Sequence, residues 1–189
     1  MLKQTTLGPV ILFALLMVSG SSFGDFVFDE STNGDLSDDR FTPTLLPVVP
    51  GSNQLFGTVG DADDDYFSFV LAPGQELTDI IVLEYSSTTN TTFLGINFGP
   101  IYDPEGNTQT LGFTAIGTDD IGFDVLQDLA ASNGNFSGPL GPGTYSFWLD
   151  EATGPESYGL EFRVSGVPEP ASSVVLGLML IGMAKRKRN

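Results

Sequence analysis

The chain has 189 residues, a formal net charge of −17, and neither cysteine nor histidine. That inventory excludes disulfides and thiolate chemistry, the Ser-His-Asp triad and the commonest zinc ligand. Five of the seven bases are Lys3 and Lys185 to Arg188, so residues 25–166 hold 23 acids against Arg40 and Arg163, a net charge of −21 that excludes nucleic acid as a partner.

Lys3 opens a basic n-region, Leu7 to Val18 is mostly apolar, and Ser22 and Gly24 put small residues where a signal peptidase inspects. The pattern predicts a signal peptide over 1–24, cleaved between Gly24 and Asp25, with signal peptidase as the processing partner. An uncleaved N-terminal anchor is the alternative.

Residues 25–53 read as an acidic, irregular segment, and 54–166 as one β-domain of ordinary size. Gln54 to Val59 is the first predicted strand. In Tyr66 to Leu71, the residues Phe67, Phe69 and Leu71 share a face. Pro73-Gly74 turns the chain into Leu77 to Tyr85, where Leu77, Ile81, Leu83 and Tyr85 are expected on one side. Leu94, Ile96 and Phe98 mark the next strand, followed by Thr110 to Ile116 and a weaker stretch from Ile121 to Leu126. Val125 to Ala131 fits one or two helical turns. Tyr145, Phe147 and Leu149 alternate after Gly141-Pro142-Gly143, and Tyr158, Leu160, Phe162 and Val164 close the series. Short strands with Gly/Pro turns and no long helix predict an all-β fold, an antiparallel β-sandwich or jelly roll.

Candidate sites are sparse. Asp61, Asp63 and Asp65 lie between two predicted strands, where carboxylates can converge on calcium. They imitate the start of an EF-hand loop, but Tyr66 stands where that loop needs glycine, and Ala72 where it needs glutamate. A solvated, strand-ending turn is the plainer reading. Asp119, Asp120 and Asp124 form a second acidic group. Trp148 could stack on a sugar ring or pack against the fold. Lysine is absent from 25–166, so paired carboxylates are the catalytic chemistry left, as in a glycoside hydrolase. No catalytic residue and no obligatory cofactor are assigned.

The tail has three parts: Val167-Pro168-Glu169-Pro170, an uncharged stretch from Ala171 to Ala184, and the basic stop Lys185-Arg186-Lys187-Arg188. The prolines keep the signal extended and outside the following helix. A helix over 171–184 is about 21 Å long against a hydrocarbon core of about 30 Å, a marginal span suited to a temporary membrane anchor. Its basic end stays cytoplasmic. This tail, 167–189, resembles the PEP-CTERM sorting signal of Gram-negative bacteria, which implies an exosortase as partner and an inner-membrane intermediate before release to the cell surface or matrix.

Leu55 to Gln75, with Gly57 and Gly60, Asp65 before an aromatic strand and the Pro73-Gly74 turn, resembles the opening of bacterial pre-peptidase C-terminal domains. Leu140 to Tyr145 and Tyr158 to Leu160 resemble that family's closing hairpin. The resemblance implies an accessory β-domain and carries no catalytic residues. Together the likenesses imply an exported, non-catalytic surface or matrix protein in an exopolysaccharide context. A calcium- or carbohydrate-binding module is the alternative, and a carboxylate-pair hydrolase a more distant one.

Overall fold

The computed structural model describes residues 25–60, 62–87, 92–103, 105, 110–133, 135–150 and 155–166. In chain order its elements are β1 (Phe26–Asp29), α1 (Glu30–Asn33), β2 (Thr44–Leu45), β3 (Gly51–Val59), β4 (Asp65–Leu71), β5 (Gln75–Ser86), β6 (Thr92–Phe98), β7 (Thr110–Ile116), α2 (Leu126–Asn133), β8 (Gly143–Asp150) and β9 (Glu156–Gly166). One sheet has the order β1-β3-β9-β5 and the other β2-β4-β8-β6-β7. The fold is all-β as expected, but both sheets are mixed. β1 runs parallel to β3 and β2 parallel to β4, whereas the inner pairs are antiparallel.

Period-two spacing builds the core. Phe67 and Phe69 of β4 and Phe147 of β8 are fully buried, and Phe67 stacks on Phe147 with ring centres 5.0 Å apart. Phe162 arrives from β9 in the other sheet and meets Phe67, Phe69 and Phe147 edge-on at 5.7, 5.6 and 5.4 Å. Edge-to-face contact suits the ring quadrupoles. The two sheets therefore enclose one core, in which Leu160 is also fully buried.

Several expectations need correction. Segment 25–53 is not irregular: β1 joins the first sheet, β2 the second, and β3 starts at Gly51. The alternation of half-buried Phe26 and Phe28 around exposed Val27 is too short to stand out from its acidic surroundings. In β5, bulges fall between Leu77 and Asp79 and between Val82 and Glu84. Each adds a residue and reverses the facing, so the core receives Leu77, Ile80, Val82 and Tyr85 in place of the predicted Ile81 and Leu83. Phe98, at the end of β6, is half exposed and lies edge-on to Tyr145. Finally, β8 and β9 are not a hairpin. β8 pairs with β4 and β6, and β9 with β3 and β5, so the two strands belong to different sheets.

The stretch after β7 closes the open edge of β5. Gly122 N–H donates to the Val82 carbonyl at 2.7 Å, Val82 N–H to Phe123 at 3.2 Å, and Val125 N–H to Ile80 at 2.8 Å. These isolated bridges replace the strand expected from Ile121 to Leu126 and leave no template for another chain along that part of the edge. The helical turns expected near Val125 to Ala131 form α2, which buries Leu126, Leu129 and Ala130. Gly112 of β7 lets the helix approach: a Cβ there would sit 1.9 Å from the Leu129 carbonyl oxygen. Among the described residues no helix is long and apolar enough to cross a membrane. The predicted signal peptide to Gly24 and the tail from Val167 to Arg188 lie outside the described residues.

Candidate functional site

An acidic group forms where α1, the turn after it, β3, β4 and β9 meet. The Asp29 carboxylate caps α1, accepting from the Ser31 N–H at 2.9 Å. Glu30, the first helical residue, then reaches across the chain. Its Oε1 accepts from Leu36 N–H at 3.0 Å and its Oε2 from Thr58 N–H on β3 at 2.8 Å. Gly57 makes room for this crossing, because a Cβ at that position would meet the Tyr158 hydroxyl at 2.5 Å and the Glu30 carboxyl carbon at 2.9 Å.

Asp65, the first residue of β4, is fully buried beside Glu30. Tyr158 donates its hydroxyl to Asp65 Oδ2 at 2.7 Å, and the Asp65 carboxyl, which is sealed from solvent, shares a hydrogen bond with the Glu30 carboxylate beside it. Carboxylate oxygens of Glu30, Asp35 and Asp65 all lie within 4.8 Å of one another. A pocket of about 450 Å³ opens alongside, lined by Glu30, Asp35, Gly57, Glu84 and Tyr158 among others.

The electrostatics follow from this crowding. Burial pushes the Asp65 carboxyl up to about 9; the Tyr158 hydroxyl pulls it back, and the Glu30 and Asp63 charges raise it further. Burial also raises Glu30, against the pull of the two backbone N–H groups and of its hydrogen bond with Asp65, and Asp35 adds to the rise. Asp63 is raised by burial, then by Asp35, Asp38 and Asp64. Among the described residues no arginine relieves the group: Arg163 pairs with Glu161 at 2.9 Å, and Arg40 lies 4.8 Å from the Phe41 ring centre.

Asp63 and Asp65 of the three sequence candidates fall in different acidic groups. Asp61 lies outside the described residues, Asp63 gathers with Asp35 and Asp38, and Asp65 gathers with Glu30 and Asp35. Glu30 and Asp35 escaped notice because their segment read as irregular. An Asp-Glu pair at the start of a short helix was the available signal. The second acidic group serves the backbone. Asp124 Oδ1 accepts from Ile80 N–H at 2.9 Å and Leu126 N–H at 3.0 Å, and Asp120 Oδ2 accepts from Gly117 N–H at 2.8 Å. Asp119 is exposed. Trp148 offers no open platform, since the ring of buried Tyr102 lies across it at 5.5 Å.

A second buried carboxylate, Glu156, was also missed. It accepts from the hydroxyls of Tyr85 and Ser87, and from Thr92 at 2.6 Å. Burial and then Glu156 push the Tyr85 phenol up to about 12.

Comparison with known proteins returns no match among family models, curated proteins or solved structures.

Proposed function

We propose that the chain is an exported, exosortase-processed cell-surface or extracellular-matrix protein whose β-rich body acts by binding and holding. The observation that carries this reading is the order in the tail: a Pro-flanked glutamate at 169, an uncharged stretch over 171–184, then four consecutive bases. A marginal span with a basic stop suits a segment that is held in the membrane and then removed. We read the two sheets around one core as a β-sandwich similar to pre-peptidase C-terminal domains, with Asp65 opening the aromatic strand β4. An exopolysaccharide matrix is the setting that the tail implies.

A non-catalytic role is supported by the state of the acids. Both Glu30 oxygens are engaged by backbone N–H groups, and Asp65 is sealed from solvent. Neither is free to flank a glycosidic bond as a hydrolase pair must. A sugar-stacking role for Trp148 is disfavoured by Tyr102, which covers it.

Changing Glu169 to Ala in the native host tests the sorting reading. The variant is expected to accumulate in the membrane fraction with its tail attached, seen by intact-mass analysis. Removal of the tail at the normal rate from that variant overturns the assignment.

A further inference from the structure

We propose that residues 26–35 form a strap latched by one proton, which the Asp65 carboxyl donates to the Glu30 carboxylate, and that loss of this proton lifts the strap while the core stays folded. The strap is lightly held elsewhere. β1 is a four-residue edge strand whose Phe26 and Phe28 are half-buried, and α1 buries no residue. Leu36, directly after the strap, is buried in the core, and the Ser37 carbonyl accepts from Tyr66 N–H at 2.9 Å, which anchors the chain beyond it. Just before this anchor Gly34 takes a φ of +93°, which side chains rarely adopt, with open space around it. Glu30 is the polar fastening of the strap. It accepts from Leu36 N–H, from Thr58 N–H on β3 and from the Asp65 carboxyl.

The latch needs its proton for two reasons. Adjoining carboxyls can hydrogen-bond each other only while one is protonated, and two carboxylates with oxygens within 4.8 Å of each other repel. Fully buried Asp65 cannot spread a charge into water, and its surroundings cannot neutralise one. The strap contributes Asp29 and Glu30, the turn beyond α1 Asp35, and the turn before β4 Asp63 and Asp64. Glu84 of β5 lines the adjoining pocket, and β9 supplies the Tyr158 hydroxyl. None of these groups carries positive charge.

Lifting the strap lets water reach Asp65 from the adjoining pocket, so its carboxyl returns from about 9 toward the ordinary value of 3.8. The docked form therefore holds the proton more tightly than the released form. Docking is strongest at low pH and weakens as pH rises toward about 9, by up to about tenfold in its equilibrium constant per pH unit. The window is nearly clear of other groups. Residues 25–166 contain neither histidine nor lysine, and burial raises all five tyrosines. The raised carboxyls of Glu30 and Asp63 act with the same sign as Asp65. Release uncovers the β3 edge that β1 pairs, over residues 53–56.

The absence of cysteine lets a single introduced thiol report on the strap. The full chain carrying Val27→Cys, at an exposed position of β1, is labelled with a nitroxide. Its mobility is read by electron paramagnetic resonance from about pH 6 to about pH 10, with a metal chelator and fixed salt. The same label at Val70→Cys, exposed on β4, follows the core. The mobile fraction at position 27 should rise about tenfold or more over this range, while that at position 70 stays constant. Asp65→Asn should keep the strap closed throughout, because its amide N–H donates to Glu30 as the protonated carboxyl does and its oxygen still accepts from Tyr158. Glu30→Ala should leave position 27 mobile at every pH. A constant spectrum at position 27 overturns the latch, and so does a pH response that Asp65→Asn retains. Loosening at positions 27 and 70 together overturns local release. Should Asp65→Asn fail to fold, Glu30→Ala decides alone, and a pH response retained by that variant overturns the latch.

Discussion

Asp65 and Glu156 are both carboxylates buried at the rim of the core, and they are held in opposite ways. Glu156 is surrounded by hydroxyl donors from Tyr85, Ser87 and Thr92. Asp65 accepts from Tyr158 and shares a hydrogen bond with Glu30, itself a carboxyl. The first arrangement is complete within the chain. The second is complete only while Asp65 keeps its proton, because two adjoining carboxyls can hydrogen-bond each other only when one of them is protonated.

The largest expected effect of this contrast is on pH dependence in the absence of divalent ions. In the unfolded chain Asp65 loses its proton near 3.8, whereas in the fold burial holds it up to about 9. Between those values the unfolded state binds fewer protons, so stability falls as pH rises, by up to about 1.4 kcal/mol per pH unit for one group. The raised carboxyls of Glu30 and Asp63 act with the same sign, and the lowered Glu161 with the opposite one. Denaturant unfolding of the parent and Asp65→Asn across this window isolates the Asp65 contribution. The variant should show the flatter curve, and parallel curves would mean that Asp65 is charged in the fold.

Next in size is the loss of Glu156. Replacing it with Ala leaves buried hydroxyls without their acceptor, and each such group is unfavourable by about 1–3 kcal/mol. Urea unfolding at neutral pH should therefore show a loss of at least about 2 kcal/mol. A smaller change would show that the hydroxyls satisfy one another, as the 3.0 Å contact between Tyr85 and Thr92 permits. The comparison would then lose one side.

Gly57→Ala probes the Asp65 side through packing. The new methyl would meet the Tyr158 hydroxyl at 2.5 Å and the Glu30 carboxyl carbon at 2.9 Å. Overpacking of this kind destabilises by about 1–3 kcal/mol. The same urea assay measures it, and an unchanged midpoint would show that Glu30 and Tyr158 can part without loss.

The regular strands were legible because alternation maps directly onto burial. Phe67, Phe69, Leu160 and Phe162 face the core as their spacing demands. β5 defeated the same reasoning, since its two bulges reverse the facing without altering composition. The acidic site was half legible. Asp65 stood out in the run before β4, but Glu30 and Asp35 are about thirty residues away and became its neighbours through the parallel pairing of β1 with β3.

Composition by itself determined that this is an acidic body without thiol or imidazole chemistry, and periodicity determined that its core is built by strands. These properties depend on residue type and on spacing of two, both local to the chain. Tertiary structure alone decided which acids meet. Convergence depends on strand order, on the absence of a side chain at Gly57, and on which carboxyls burial sets side by side. None of these is local: each is a relation between segments that only the packed sheets bring together.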